Sequence, residues 1–486
     1  MLHTRIHKVF FVFTAAVFIA LMLPEMCQEG MFMDGTIYAA IARNLSIHIG
    51  DFWHLKFSDT TFPVFNDHPP LAFGLESLFF KAFGEAFYAE KLYGFCCAII
   101  TAFLIIRVWK HLFKNHHYEN MYWLPLLLWM ITPKVFWSLN NNMLENTLTV
   151  FSTAAILLLL KSIQQPLFKQ ILYLFFAGIM LIAAFLSKGF PGLFPLAFFF
   201  FFYVSAPREF HIKRMLALTG IFVCMCVLSS ALFLLWQGQA IESLGAYLNI
   251  QVFNSIKGGD RVGSRWNWLN DYFQQIIPML GILLLVVFSN RKFFIAQWRN
   301  QTAMRQSTLL MLLIALSASL PLMVSPKLSA YYLVPCFPFM AMAFAIIMAP
   351  NTEALIQKID VDSKFPKRFF YFNVCLIAAI GIFSILQFGN KFRDEALLRD
   401  IEKIQVYLPN EKTISIAEPM YQDWRLIAYF QRKAKININR EPQRSKYLLI
   451  EKNQSANDTN YKASALILEK FTLFERNAEN NIRKDD

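Results

Sequence analysis

Between Val9 and Phe388, long apolar runs alternate with short polar connectors. A helix needs about 20 apolar residues to cross the hydrocarbon core of a bilayer, so each run, extended into its flanks, is predicted to span a membrane. The predicted spans cover residues 9–24, 92–108, 121–137, 147–160, 171–187, 189–205, 215–236, 274–289, 307–324, 329–349 and 369–388. The pattern therefore predicts a polytopic α-helical membrane protein with about 11–13 transmembrane helices.

From about Lys391 the apolar runs stop, and the composition becomes that of a soluble segment. Short buried runs there favour strands, and longer mixed segments favour helices. The predicted elements are strands at Thr413–Ile416 and Tyr447–Ile450 and helices at Asp423–Arg432 and Ala463–Phe474. We expect a transmembrane domain over residues 1–390, with a long first loop at 25–86, and a small α/β domain over residues 391–486.

Composition excludes an ordinary soluble protein. Hydrophobic residues make up 56% of the chain and charged residues 16%, whereas soluble domains carry about 25% charged residues. The net charge of +13 would suggest a nucleic-acid partner in a soluble protein, but here lysines and arginines of the membrane connectors account for it, and we expect no nucleic acid. The seven cysteines have no spacing typical of zinc or of a disulfide framework.

Loop charge predicts how the chain is oriented. Alternate connectors are basic, among them residues 107–114, 208–214 and 291–305, whereas the opposite side carries the acid-rich first loop. By the positive-inside rule, the N-terminus is cytoplasmic, and an odd number of spans places the C-terminal domain outside the cytoplasm. The run 9–24 is then an uncleaved signal anchor. We expect a plasma (inner) membrane protein whose C-terminal domain is periplasmic.

Two acidic motifs lie on the predicted extracytoplasmic side. Asp34 opens an amphipathic helix predicted over 36–47, where a carboxylate could cap the helix N-terminus or act as a general base. Asp67 and His68 precede Pro69-Pro70, a pair that favours a helix start. Polar groups at the membrane surface indicate either a solvated helix start or a functional site, and both interpretations stay open.

Isolated charges mark the short turns on the same side. Glu145 follows an Asn-Asn-Asn turn, and Lys188 lies between two apolar runs with almost no loop. A lone lysine there could extend to the lipid headgroups, or it could join other cations around a phosphate. The other cations on this side are Lys327, Arg261 and Arg265.

The order of these motifs resembles the GT-C glycosyltransferases. The motifs are Asp-Gly-Thr-Ile-Tyr-Ala from Asp34, His-Pro-Pro-Leu from His68, Ser-Lys-Gly-Phe-Pro-Gly from Ser187 and Lys-Leu-Ser-Ala-Tyr-Tyr-Leu-Val-Pro-Cys-Phe-Pro from Lys327. The branch resembled contains the protein O-mannosyltransferases and the bacterial lipid A aminoarabinose transferase. The resemblance covers about residues 1–390, and the C-terminal α/β domain is similar as well.

The resemblance implies an enzyme of the cell envelope that transfers a hexose or pentose from a polyprenyl-phosphate donor, with inversion, at the extracytoplasmic face. It implies Asp34 as general base and Asp67 as a second catalytic carboxylate. Around the donor phosphate it implies His68, Lys188, Arg261, Arg265 and Lys327, with Tyr38, Glu145 and Tyr331 as further candidates. His68 stands where the family often has lysine, so phosphate pairing there requires a protonated imidazole.

The implied partners are membrane lipids, the lipid-linked sugar and an acceptor, which could be a protein, lipid A or a growing glycan. No nucleotide is required, no cofactor is assigned and no metal ligands are assigned, although Asp34 and Asp67 together could hold a divalent metal. Two other classes stay open at this point. A lipid-linked sugar transporter or flippase would place charges or broken helices near the bilayer midplane. A non-catalytic assembly subunit would keep the fold without the chemistry.

Overall fold

The computed structural model describes residues 2–253, 266–324, 328–441, 445–452, 454 and 460–477. Its α-helices are, in chain order, α1 Leu2–Met26, α2 Met33–Ser46, α3 Leu71–Phe83, α4 Ala89–Leu112, α5 Trp123–Met130, α6 Pro133–Asn140, α7 Leu144–Ser162, α8 Leu167–Lys188, α9 Phe198–Ser205, α10 Ile212–Trp236, α11 Ala240–Tyr247, α12 Trp266–Ser289, α13 Arg291–Asn300, α14 Thr302–Ser319, α15 Phe337–Ile356, α16 Lys364–Leu386, α17 Glu395–Tyr407 and α18 Trp424–Tyr429. The strands are β1 Thr413–Ile416, β2 Asn437–Asn439, β3 Tyr447–Glu451, β4 Tyr461–Ala463 and β5 Phe471–Arg476.

Within the described residues, nine helices are long and apolar enough to cross a membrane. They are Arg5–Met26, Ala89–Leu112, Leu144–Ser162, Leu167–Lys188, Ile212–Trp236, Trp266–Ser289, Thr302–Val324, Ala330–Ile356 and Lys364–Leu386. The chain is a multi-pass membrane protein, as its hydrophobic pattern predicts. Each of the nine overlaps one predicted span.

The two remaining predicted spans are interrupted helices. In 121–137, α5 ends at Met130 and α6 begins at Pro133, because proline lacks the amide hydrogen that would continue the first helix. In 189–205, a tight 3₁₀ segment at Phe190–Ala197 contains two prolines and precedes α9. Proline thus divides the first run into two helices, and the second run is a shorter apolar helix, Phe190–Ser205, that begins as a 3₁₀ segment.

The chain divides into two compact units. The first unit contains Met1–Met26, Asp67–Ala72 and Leu92–Gln387, and its long helices pack against one another. Helix α15 and the turn before it form the centre of this unit. In their apolar stretch 83% of the residues are buried, whereas in α16 only 11% are. A helix that is apolar on all sides and still exposed, such as α16, is suited to face lipid.

The second unit is built from three chain segments: Cys27–Asn66, Phe73–Lys91 and Phe388–Asp486. Its five-stranded sheet has the order β2-β1-β3-β5-β4. Strand β1 runs parallel to β2 and β3, and β5 runs antiparallel to β3 and β4. Most of the first loop therefore folds together with the C-terminal segment.

The C-terminal element predictions are confirmed except for one. Strands β1 and β3 and a helix at the predicted 423–432 are present. The predicted helix Ala463–Phe474 is wrong, because this stretch holds the end of β4, a connector and most of β5. The buried Asp400 carboxylate accepts backbone hydrogen bonds from Glu469 and Lys470 at 2.7 and 2.8 Å, which fixes the chain just before β5.

Candidate functional site

A buried ion pair joins the ends of two antiparallel helices in the first unit. Glu145 lies in the first turn of α7, and Lys188 is the last residue of α8. The Lys188 ammonium donates to the Glu145 carboxylate, and their side chains are only 7% and 1% exposed. A carboxylate at a helix N-terminus and an ammonium at a C-terminus both complement the helix dipoles, so each helix end favours the charge it carries.

Two tyrosines border this pair. Tyr331 and Tyr332 belong to the tight turn Ala330–Cys336, and the Lys188 ammonium lies 5.5 and 4.5 Å from their ring centroids. At these distances the aromatic rings attract the cation. The structure thus brings together three residues that the sequence singles out separately: Glu145, Lys188 and Tyr331.

Gly189 explains why the chain can turn immediately after Lys188. Its backbone has φ 81° and ψ −143°, a region that is almost restricted to glycine. A Cβ atom at this position would lie 1.9 Å from the hydroxyl of Tyr247. Burial raises the pKa of Tyr247 to about 12, so this hydroxyl stays protonated beside the Phe190 backbone.

We predict that Gly189→Ala destabilises the protein by about 2–4 kcal/mol, because backbone strain and the clash with Tyr247 add. The measurement is the thermal unfolding midpoint of the purified protein in detergent. Gly220→Ala in α10 is the matched control, because its Cβ would meet no atom within 4 Å. An unchanged midpoint for Gly189→Ala would show that the turn after α8 tolerates a side chain.

Neutral polar groups surround the N-terminal end of α7. Asn140, the last residue of α6, and Asn141 and Asn142, in the turn that follows, are all buried. Asn146 exchanges hydrogen bonds of 2.8 Å with the hydroxyl and backbone carbonyl of Ser138. Burying amides is tolerated where they are hydrogen-bonded, so this part of the chain forms a buried polar cluster beside the ion pair.

Sequence reasoning missed two residues of this site, Lys134 and Trp137, because both fall in the predicted span 121–137. Trp137 stacks on Tyr331 with ring centroids 5.8 Å apart, and the Lys134 ammonium lies 4.1 Å from the Trp137 ring centroid. The Lys134 backbone amide donates to Gln275 at 2.8 Å. The available signal was the Thr-Pro-Lys sequence inside the apolar run, since proline and a charge together argue against a continuous span.

Asp34 and Tyr38 lie on one helix of the second unit. Helix α2 begins at Met33, earlier than the predicted Thr36, so Asp34 lies in its first turn and is half-buried. Phe32 occupies the N-cap position and its side chain makes no capping hydrogen bond, so Asp34 is a residue of the first turn and the interpretation of Asp34 as the N-cap is wrong. Tyr38, one turn further on, is 6% exposed and packs edge-on against Phe73.

The remaining predicted site residues divide into two groups. Asp67 and His68 belong to the first unit, are half-buried and lie just before Pro69-Pro70, after which α3 begins at Leu71. Arg261, Arg265 and Lys327 fall outside the described residues. Among the residues that the structure does describe, no three His, Cys, Asp or Glu side chains converge in the way metal ligands do.

Known proteins share this architecture. The sequence profile of the dolichyl-phosphate-mannose-protein mannosyltransferase family matches residues 67–236, which include Glu145 and Lys188. No curated protein sequence matches the chain. The structure of ArnT from Cupriavidus metallidurans in the apo state superposes with a TM-score of 0.66 at 14% identity, covering 97% of this chain and 98% of ArnT. The chain has the GT-C fold.

Two further structures agree with the GT-C assignment. ArnT from Cupriavidus metallidurans bound to undecaprenyl phosphate has a TM-score of 0.62 at 13% identity, over 96% of this chain and 97% of that one. The apo oligosaccharyltransferase of Archaeoglobus fulgidus has a TM-score of 0.50 at 12% identity and covers 90% of this chain and 65% of its own. The predicted resemblance to the GT-C branch of ArnT and the mannosyltransferases is confirmed at the level of fold.

Proposed function

We propose that this protein is an inverting glycosyltransferase that moves a sugar from a polyprenyl-phosphate donor to an acceptor hydroxyl at the extracytoplasmic face. The observation that carries the proposal is the GT-C fold, shared over nearly the whole chain with an ArnT structure that holds undecaprenyl phosphate. Asp34 is the proposed general base, and Asp67 is the proposed second carboxylate.

The chemistry needs two kinds of protein group, a carboxylate and cations. A positioned carboxylate takes the proton of the acceptor hydroxyl, which attacks the anomeric carbon from the side opposite the leaving phosphate. Cations stabilise the charge that develops on this phosphate as the glycosidic bond breaks. The sugar is already activated, so no nucleotide is consumed.

The ion pair with Glu145 limits what Lys188 contributes. A lysine paired with a buried carboxylate forms a neutral unit, so on its own it adds no net positive charge for a phosphate. We therefore assign Lys188 a shared role, in which its ammonium contacts both Glu145 and the donor phosphate. The net positive charge then comes from Arg261, Arg265, Lys327 and a protonated His68.

The direct test is sugar transfer by the purified full-length protein in lipid vesicles. Mass spectrometry of the co-purified lipid should detect a polyprenyl phosphate, and prenyl-phosphate mannose, aminoarabinose and galacturonic acid are the donors to try. Lipid A, glycan and serine- or threonine-containing peptides are the acceptors, and assays with and without EDTA decide whether a metal takes part. Movement of the lipid across the bilayer without transfer would instead indicate a flippase, and neither activity would indicate an assembly subunit.

The proposed orientation has its own prediction. In a cysteine-free background, Gln454→Cys, in an exposed part of the C-terminal segment, should react in intact cells with a membrane-impermeant thiol reagent. Asn300→Cys, exposed at the end of α13 in a basic connector, is the matched control and should react only after lysis. The reverse labelling pattern would overturn the orientation and the extracytoplasmic location of the reaction.

A further inference from the structure

The chain that enters α2 is fixed by a tyrosine from the C-terminal segment. The hydroxyl of Tyr429, in α18, accepts a hydrogen bond from the Met31 backbone amide at 2.9 Å and donates to the Met31 carbonyl at 2.9 Å. Met31 lies two residues before the first residue of α2 and three before Asp34. Tyr429 is 2% exposed, and burial raises its pKa, so its hydroxyl stays protonated and can serve both bonds.

A short ladder of backbone hydrogen bonds adjoins this contact. Residues 27–29 exchange bonds with residues 389–392, among them Glu29 N to Asn390 O at 2.8 Å and Gly389 N to Cys27 O at 2.9 Å. Gly30 has φ 99°, and a Cβ there would lie 2.5 Å from the Arg393 carbonyl oxygen. The two segments approach so closely that only glycine fits, which leaves the start of α2 little freedom.

The other end of α2 contacts the same part of the C-terminal segment. Arg43, which is 1% exposed, donates from Nη2 to the Gln431 carbonyl at 2.9 Å. The next residue of that segment, Arg432, binds both carboxylate oxygens of Glu90 at 3.2 and 2.9 Å. Residues 429–432 thus hold α2 near both of its ends, through contacts that all lie within the second unit.

We propose that Tyr429 is a positioning residue for Asp34, and that the C-terminal segment serves to set the place and direction of the catalytic carboxylate. This inference rests on the proposed function, in which Asp34 is the general base. Because hydrogen bonds hold α2 near both of its ends, the helix cannot slide or tilt while these bonds persist. The Asp34 carboxylate, in the first turn, is therefore expected to shift when one of the end contacts is lost. A displacement of about 1 Å at a reacting group can lower a rate by about 100-fold.

The test compares Tyr429→Phe with wild type, using the full-length protein. Removing the hydroxyl should speed amide hydrogen exchange over residues 31–36 by about tenfold, because the Met31 bonds are lost. It should lower kcat by about 10- to 100-fold and leave KM within about twofold, because substrate binding does not use this contact. Tyr461→Phe is the matched control: its buried hydroxyl donates to the Ser445 carbonyl at 2.7 Å, within the sheet region.

Three results would overturn the inference: unchanged exchange in Tyr429→Phe, faster exchange with wild-type kcat, or an equal loss of kcat in Tyr461→Phe. The last would trace the effect to general loosening of the second unit. The proposed function fails by a separate route, through the absence of sugar transfer by the wild-type protein. Exchange near Met31 does not depend on that outcome.

Discussion

Replacing Asp34 with asparagine is expected to lower kcat by about 10²- to 10⁴-fold, the usual contribution of a general base. Asparagine keeps the size and shape of the side chain, but it replaces one acceptor oxygen with an amide donor and cannot take a proton. Asp34 occupies the first turn of α2, where replacing its charge weakens a modest favourable interaction with the helix dipole, and we expect the fold to persist. The measurement is steady-state sugar transfer, with unfolding midpoints recorded for both proteins.

Asp51→Asn is the matched control for this substitution. Asp51 lies in the same unit, and its carboxylate accepts hydrogen bonds from the backbone amides of Trp53 and His54 at 2.8 and 2.9 Å. It is more than half exposed, so its replacement should change kcat by no more than about twofold. Equal rates for wild type and Asp34→Asn would remove Asp34 from the role of base, and equal losses in both variants would indicate a general effect of charge.

Breaking the Glu145–Lys188 pair is expected to have the largest effect on stability. Glu145→Leu would leave a buried ammonium without its carboxylate, and Lys188→Met would leave the reverse, each at a cost of about 3–5 kcal/mol. The double variant removes both charges and should recover stability to within about 1 kcal/mol of wild type. Thermal unfolding of the four proteins in the same detergent completes the double-mutant cycle.

Activity separates the structural role of this pair from a catalytic one. If Lys188 shares its ammonium with the donor phosphate, the double variant should be stable and yet transfer sugar at least about tenfold more slowly. Wild-type transfer by the stable double variant would confine the pair to a structural role. Additive losses of stability in the two single variants would show that the two side chains are not coupled.

Hydropathy predicts most of the transmembrane helices, because the apolar character of a span is a property of its own residues and does not depend on distant contacts. Nine predicted spans correspond to helices long and apolar enough to cross a membrane, and the other two consist of shorter helical segments with prolines at Pro133 and within 190–197. The sequence of residues 463–474 predicts a helix, but a short mixed segment also fits the period of a strand. Their burial alternates, with Phe471 and Leu473 inside, and pairing with β3 and β4 selects the strand.

The sequence indicates some of the residues around Lys188 but not all of them. Glu145 and Lys188 attract notice as charged residues in short turns, Tyr331 is a candidate through the family resemblance, and the structure brings the three together. Lys134 and Trp137 do not stand out, because a residue within an apolar run looks like part of a span until the break at Pro133 is known. Asp34 was placed on a helix, whereas the bonds that hold this helix come from residues almost 400 positions away.

The sequence by itself determined the membrane class, the alternation of basic and acidic connectors and the order of motifs that resembles the GT-C enzymes. These properties depend on residue type and spacing along the chain. Tertiary structure alone decided that Lys188 meets Glu145 and that the first loop folds with the C-terminal segment. The physical reason is that each contact joins residues far apart in sequence, and its partner is chosen by how helices and strands pack, which no local pattern records.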